Sequence, residues 1–337
     1  MAQVRRYTTR LVAVREATAL LNDAQRRTAV REGPERRAVL LMAYGGPASL
    51  DEIPGFLESI RGSRPSTELV ERITERYRLI GGRSPLPAIT RSTADRLTAV
   101  TGLPTYVGMR HWRPLIEEVV LEMAQAGVQR ALTVCMAPHY SAASVGAYHQ
   151  RTADAARPHP TLHLELTSSW HLEPRFISGL AENVLGTIER FEPAEWAEVG
   201  VLFTAHSLPR AALPPDDPYQ RQLLETGAAV ATAANLAGPR WRLAYQSASG
   251  PADQWLGPSA EEVLAEMAAD GCRHVVVCPA GFVAEQVEIF YDIDIRLNAT
   301  ARGLGVWLER TPMLNDGEPL VAALAALVKR WEGEEPT

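Results

Sequence analysis

The sequence predicts an α/β fold built from two related halves whose parallel sheets face a common cleft, and three features carry that expectation. Short apolar runs alternate with amphipathic segments of about 10 to 15 residues, the rhythm of strand–helix–strand units. The run 201–209, VLFTAHSLP, has an echo at 39–47, VLLMAYGGP: Ala43 falls over Ala205, Tyr44 over His206 and Pro47 over Pro209. A second echo sets Val134-Cys135-Met136-Ala137 over Val277-Cys278-Pro279-Ala280, and in both a tyrosine follows the cysteine by thirteen positions, Tyr148 and Tyr291. Self-similarity at so long a period indicates two related half-domains rather than a solenoid. Tyr44 and His206 then occupy equivalent strand ends, where open α/β sheets collect their ligands.

Taken in order, residues 1–37 carry nine Arg against four acids, with no strand pattern and no continuous apolar core of a leader. They read as an N-terminal extension of unknown role. The first half, 38–170, opens on the strand VLLMAY. Ser49-Leu50-Asp51-Glu52 has capping-box spacing ahead of a helix over 53–60, with Pro54 in its first turn. A second helix, 66–79, sets Leu69, Ile73 and Tyr77 on one face, and the breaker-rich loop 80–87, IGGRSPLP, follows. Helices are then expected over 88–100, 114–126 and onward from Ser141, with strands over 105–109, 131–136 and 162–167. The second half, 171–312, repeats the alternation with strands over 199–205, 242–246, 274–278 and 306–309. Its helices are placed near 219–236 and over 259–269 and 283–293. A final helix, 319–331, lies in a segment, 313–331, expected to pack back on the first half.

Composition narrows the function. A chain of 337 residues, 46% hydrophobic, can bury a substantial core without disulfides. A net charge of −6 and a pI near 5.8 argue against a nucleic-acid partner. No apolar run approaches the roughly 18 to 20 residues that span a bilayer, so a soluble, cytoplasmic protein is expected. Cys135, Cys272 and Cys278 form no CxxC and read as reduced thiols. Neither GxGxxG nor GxxxxGK[ST] is present, which leaves a dinucleotide or P-loop site without support.

Chemistry concentrates in three places. At the end of the 201–205 run, His206 presents an imidazole that binds a metal or moves a proton near pH 7; the alternative is a histidine that bonds its own turn. Over 282–292, FVAEQVEIFYD, helical pitch puts Glu285, Glu288 and Asp292 on one face, either as a solvated acidic stripe or as a row serving a cation or relaying protons. Arg61, Arg64, Arg76 and Arg83 gather in the first half, and guanidinium forks suit carboxylates and phosphates. Tyr44, Tyr77 and Tyr148 offer apolar walls with polar tips, or core packing.

AHSLP, IGGRSPL, GMRHWRP, APHYSAASVGAY, YQSASGPADQWLGPS and GFVAEQVEIFYDID, nearly in order across about residues 38–331, together resemble ferrochelatases. The resemblance implies two Rossmann-like domains related by a pseudo-two-fold, with a porphyrin cleft between them and ferrous iron inserted into the ring as two protons leave. Carried over by motif, His206 and Glu288 form the catalytic pair that contacts the metal. Tyr44 resembles the tyrosine of the coproporphyrin-using branch found in Gram-positive bacteria, an axial ligand to the product iron. Arg61, Arg76, Tyr77, Ser84 and Tyr148 would line the porphyrin site. The resemblance further implies Fe²⁺ as substrate with no permanently bound cofactor, a monomer, and transfer of the product, coproheme, to a decarboxylase.

The pattern departs from relatives in several respects. The segment Arg61-Gly62-Ser63-Arg64 is one residue shorter than in relatives with two adjacent arginines. Gln286 replaces a histidine, and Arg296 stands one helical turn beyond Asp292 where some relatives carry a further acid. No cysteine follows Cys278, so no iron–sulfur cluster is expected. Protoporphyrin IX as the ring, a non-catalytic tetrapyrrole carrier and a cobalt chelatase are the competing readings.

Overall fold

The structure is a computed structural model that describes residues 35–236 and 238–333. Most of the N-terminal extension therefore lies outside the described residues. Two four-stranded sheets, all parallel, carry the same strand order. The first runs β2-β1-β3-β4, with β1 Arg37–Ala43, β2 Thr105–Met109, β3 Arg130–Cys135 and β4 His163–Leu166. The second runs β6-β5-β7-β8, with β5 Gly200–His206, β6 Trp241–Gln246, β7 His274–Cys278 and β8 Trp307–Arg310. The echoed runs are thus the inner strands β1 and β5, each between the same two neighbours. Their continuous apolar stretches are buried on both faces, as parallel strands under two layers of helix require.

Helices α1 Ile53–Arg61, α2 Thr67–Leu79, α3 Leu86–Thr101, α4 Ile116–Gln125 and α5 Val145–Ala156 belong to the first half. Ser66 caps α2 by accepting from the Leu69 N–H, and Gly62 closes α1 at φ +67°, a conformation that costs a side chain energy. The second half carries α6 Pro174–Ile188, α7 Tyr219–Ala233, α8 Ala260–Ala269, α9 Val287–Phe290, a π-helical turn Asp292–Leu297 and α10 Asn298–Gly303. Helix α11, Glu318–Glu332, ends the described chain. One core joins the halves: Val39 and Leu41 of β1, Leu97 of α3, Phe176 of α6, Phe203 of β5, and Leu320 and Leu324 of α11. Arg37 lies 2.8 Å from Glu332 and Arg130 covers Trp331 at 4.8 Å, so α11 is fastened to first-half strands, while Arg330 pairs with the buried Glu173 ahead of α6.

Three local expectations change. The helix predicted over 283–293 begins only at Val287, because the Glu285 N–H donates to Asn315 Oδ1 at 2.9 Å and the Val283 carbonyl accepts from the Asn315 N–H. Those bonds hold 283–286 out of the helix, with bends at Val283 and Ala284 and an extended Gln286. Beyond Phe290 the chain then relaxes into the π-turn rather than continuing as α-helix. The helix expected from Ser141 starts at Val145, since Asp217 Oδ2 accepts from the Ser141 hydroxyl and the Ala142 N–H and fixes a turn there. Helix α6 was not anticipated; it packs on α7 and α11 between the two halves.

Candidate active site

The site is assembled where β1 and β5 leave their sheets. His206 ends β5, and its turn is tied down by groups other than the imidazole: Tyr219 Oη donates to the His206 carbonyl at 2.9 Å, the Ser207 N–H to the Gln246 carbonyl, and Ser207 Oγ to the Leu256 carbonyl. The imidazole is therefore free for chemistry. Its Nδ1 lies 3.3 Å from Glu288 Oε2, an ion pair whenever the imidazole is protonated. Gly281 makes that approach possible, because a Cβ there would meet the Ala205 Cβ at 2.5 Å. Gln246 finishes the placement of Glu288, donating to its carbonyl at 2.9 Å while accepting from the Thr204 hydroxyl.

Asp292 sits behind the pair, its side chain only 3% exposed. Ser247 Oγ donates to Oδ2 at 2.5 Å, and an Arg296 nitrogen lies 3.2 Å from Oδ1. Burial pushes the Asp292 carboxyl above its usual range against Ser247 and Arg296, and the Glu288 charge pushes the same way. For His206, burial pulls the imidazole down, but Glu288, with Asp292 behind it, more than offsets this and the net shift is upward. Glu285 does not share the face expected of it: it precedes α9 and contacts Arg310, which also binds Asp294. Arg296 is committed to Asp292 and Glu261.

Across from this pair stand first-half aromatics. Tyr44, just past β1, is 37% exposed. Its ring lies 4.6 Å from His111 and meets Phe56 edge-on. Burial first, then the Glu288 charge, pushes the Tyr44 phenol up to about 12, with Arg110 opposing. Tyr77 and Tyr148 are buried, and both phenols are raised, chiefly by burial and in part by the same Glu288. One carboxylate of the second half thus acts on three phenols of the first. Ser84 closes this wall: its N–H donates to the Pro47 carbonyl at 2.8 Å, and Gly46 lies against it with no room for a Cβ.

The arginines divide. Arg76 stacks on Tyr291, 4.8 Å from the ring centre, with its Nε buried and without a hydrogen-bond partner. Arg61 and Arg64 are exposed at and just after the end of α1, outside this cluster of contacts. Arg110 and His111, both within the GMRHWRP motif, join this cluster although local pattern marks neither. Arg110 covers Tyr148 at 5.3 Å, and burial, then Arg110, lowers His111 to about 4, which keeps that imidazole neutral. Tyr291 had a signal as well, the thirteen-residue echo of Tyr148. No cluster of three or more metal-binding side chains occurs among the described residues, so the His206–Glu288 pair offers an ion one nitrogen and one oxygen.

Comparison with known proteins identifies the family and the fold. The ferrochelatase family model matches residues 36–331. A ferrochelatase from Deinococcus radiodurans is 40% identical over 304 residues, covering 88% of this chain and 96% of the relative. A protein named coproporphyrin III ferrochelatase 2 from Bacillus thuringiensis is 35% identical over 301 residues, covering 87% and 93%. Among solved structures, the sirohydrochlorin chelatase SirB from Bacillus subtilis, in complex with cobalt, shares the fold at a TM-score of 0.55 and 11% identity, over 88% of this chain and 96% of that one. With the motifs in register along nearly its whole described length, the chain belongs to the ferrochelatase family, enzymes that insert iron into a porphyrin for haem synthesis.

Proposed function

We propose that this ferrochelatase inserts Fe²⁺ into coproporphyrin III to give coproheme, with His206 and Glu288 as its catalytic pair. The observation that carries the reading is the 3.3 Å contact between that imidazole and carboxylate, whose charge reaches the Tyr44 phenol of the other half. Metalation must remove two pyrrole N–H protons as the ion arrives. An imidazole made more basic by its carboxylate partner is a proton acceptor, and the two side chains together are transient ligands to the ion. Two protein donors leave the remaining positions open to pyrrole nitrogens, whereas a closed His/Cys cage would retain the metal.

The opposite wall supports the choice of ring. Tyr77, Ser84 and Tyr148 flank a flat aromatic ligand, and Arg61 and Arg76 meet its carboxylates. Four propionates use such arginines more fully than two. Tyr44 supplies an oxygen toward the product iron; its phenol keeps its proton at neutral pH until a metal displaces it. Relatives that carry the coproporphyrin name support this choice of ring. We further propose a cytoplasmic monomer without a resident cofactor or iron–sulfur cluster, whose tetra-acid product passes to a decarboxylase. Among the described residues no helix is long and apolar enough to cross a membrane, and Cys135 and Cys278 are buried in β3 and β7.

Anaerobic assay with Fe²⁺ and either porphyrin, followed by absorbance, tests the proposal. Coproporphyrin III should give the higher kcat/KM; a preference for protoporphyrin IX would replace the ring assignment, and binding without metalation would indicate a carrier. His206→Ala should abolish insertion while ring binding survives, and near-normal turnover in that variant would remove His206 from the mechanism.

A further inference from the structure

Both halves carry a tyrosine thirteen residues after the cysteine that ends the third strand of the sheet, and both rings are covered by an arginine. In the first half the cover is internal. Arg110 follows Met109, the β2 residue paired with Ala43. In the repeat the matching position follows Tyr245, the β6 residue paired with Ala205, and it is Gln246. That amide is spent on Thr204 and on the Glu288 carbonyl and brings no charge. The cover for Tyr291 comes from the other half instead: Arg76 of α2 lies 4.8 Å from its ring centre. Asp292, next along the chain, feels the Arg76 charge, and Arg76 Nε is buried with no hydrogen-bond partner.

We infer that Tyr291 is a positioning residue for substrate binding, its ring holding the Arg76 guanidinium at the junction of the halves so that its N–H donors meet a carboxylate of the ring substrate. The chemistry of the contact supports this division of labour. An aromatic face attracts the flat face of a guanidinium and leaves the in-plane N–H donors free, whereas a protein carboxylate would consume them. Holding the side chain in place beforehand spares the substrate part of the ordering cost. The inference rests on Arg76 meeting a substrate carboxylate, as proposed above.

Steady-state kinetics and fluorescence titration with coproporphyrin III test it on the full chain. Tyr291→Leu should raise KM about three- to tenfold with kcat within about twofold, and Tyr291→Phe, which keeps the ring, should restore wild-type KM. Arg76→Lys keeps the charge but loses both the planar face and the fork, so it should also raise KM, and Tyr291→Trp, which keeps an aromatic face, should retain near wild-type KM even if Tyr291→Leu fails to fold. In an Arg76→Met background Tyr291→Leu should add nothing. Additive effects, a Phe variant as impaired as the Leu variant, or an Arg76→Lys enzyme with normal KM would each overturn the role of Tyr291. An Arg76→Met enzyme with normal KM would instead overturn the carboxylate role of Arg76 itself.

Discussion

Replacing Glu288 by Gln tests the electrostatics of the pair without relying on turnover. Unit charges 3.3 Å apart attract by about 1 kcal/mol in bulk water and about 5 kcal/mol at an effective dielectric near 20. The His206 and Glu288 side chains are 31% and 30% exposed, so screening holds the pair toward the lower bound, about 1–2 kcal/mol. Burial and Glu288 pull the imidazole in opposite directions and Glu288 prevails, so the variant should lower the His206 pKa. Since the folded-state value is raised, the attraction stabilises the fold fully below the unfolded value of about 6.5 and is lost as pH rises through the folded value. Glu288→Gln should therefore cost about 1–2 kcal/mol near pH 5.5 and almost nothing near pH 9. Histidine NMR titration and urea unfolding at both pH values measure these effects. An unmoved His206 titration, or a stability loss that is constant or larger at high pH, would refute the reasoning.

Other substitutions probe the scaffold. Gly46→Ala places a Cβ 2.5 Å from the Ser84 Cβ, an overlap that rotation of the serine cannot relieve; urea unfolding should show a loss of about 1–3 kcal/mol, restored largely by adding Ser84→Gly. Arg330→Met leaves the buried Glu173 carboxylate without its partner. Because Arg330 itself is half-exposed, the expected loss of stability is about 2–3 kcal/mol, less than for a fully buried pair.

The site yields a physical picture of how a repeat becomes asymmetric. Equivalent strand ends carry a phenol in one half and an imidazole in the other, so a ligand bound as proposed would meet different chemistry on its two faces. The carboxylate that tunes the imidazole also holds the opposing phenols protonated. Burial does most of that work, and the charge of Glu288 links the two walls.

Much of this was legible in the amino-acid sequence because it depends on near neighbours. Parallel strands buried on both faces must be continuous apolar runs, and so β1, β5, β3 and β7 declared themselves, as did the repeat and the placement of His206 at a strand end. What the tertiary structure decided are the contacts between distant segments. Asn315 takes the Glu285 N–H from thirty residues away, which delays the helix, removes Glu285 from the acidic face and leaves Glu288 beside His206. Arg76 finds Tyr291 only once the halves close, and Arg110 finds Tyr148 only once the first half has folded its β2 end against α5. Helical periodicity offers each side chain a direction; which partner waits there, and at what dielectric, is set by chain that the local pattern does not contain.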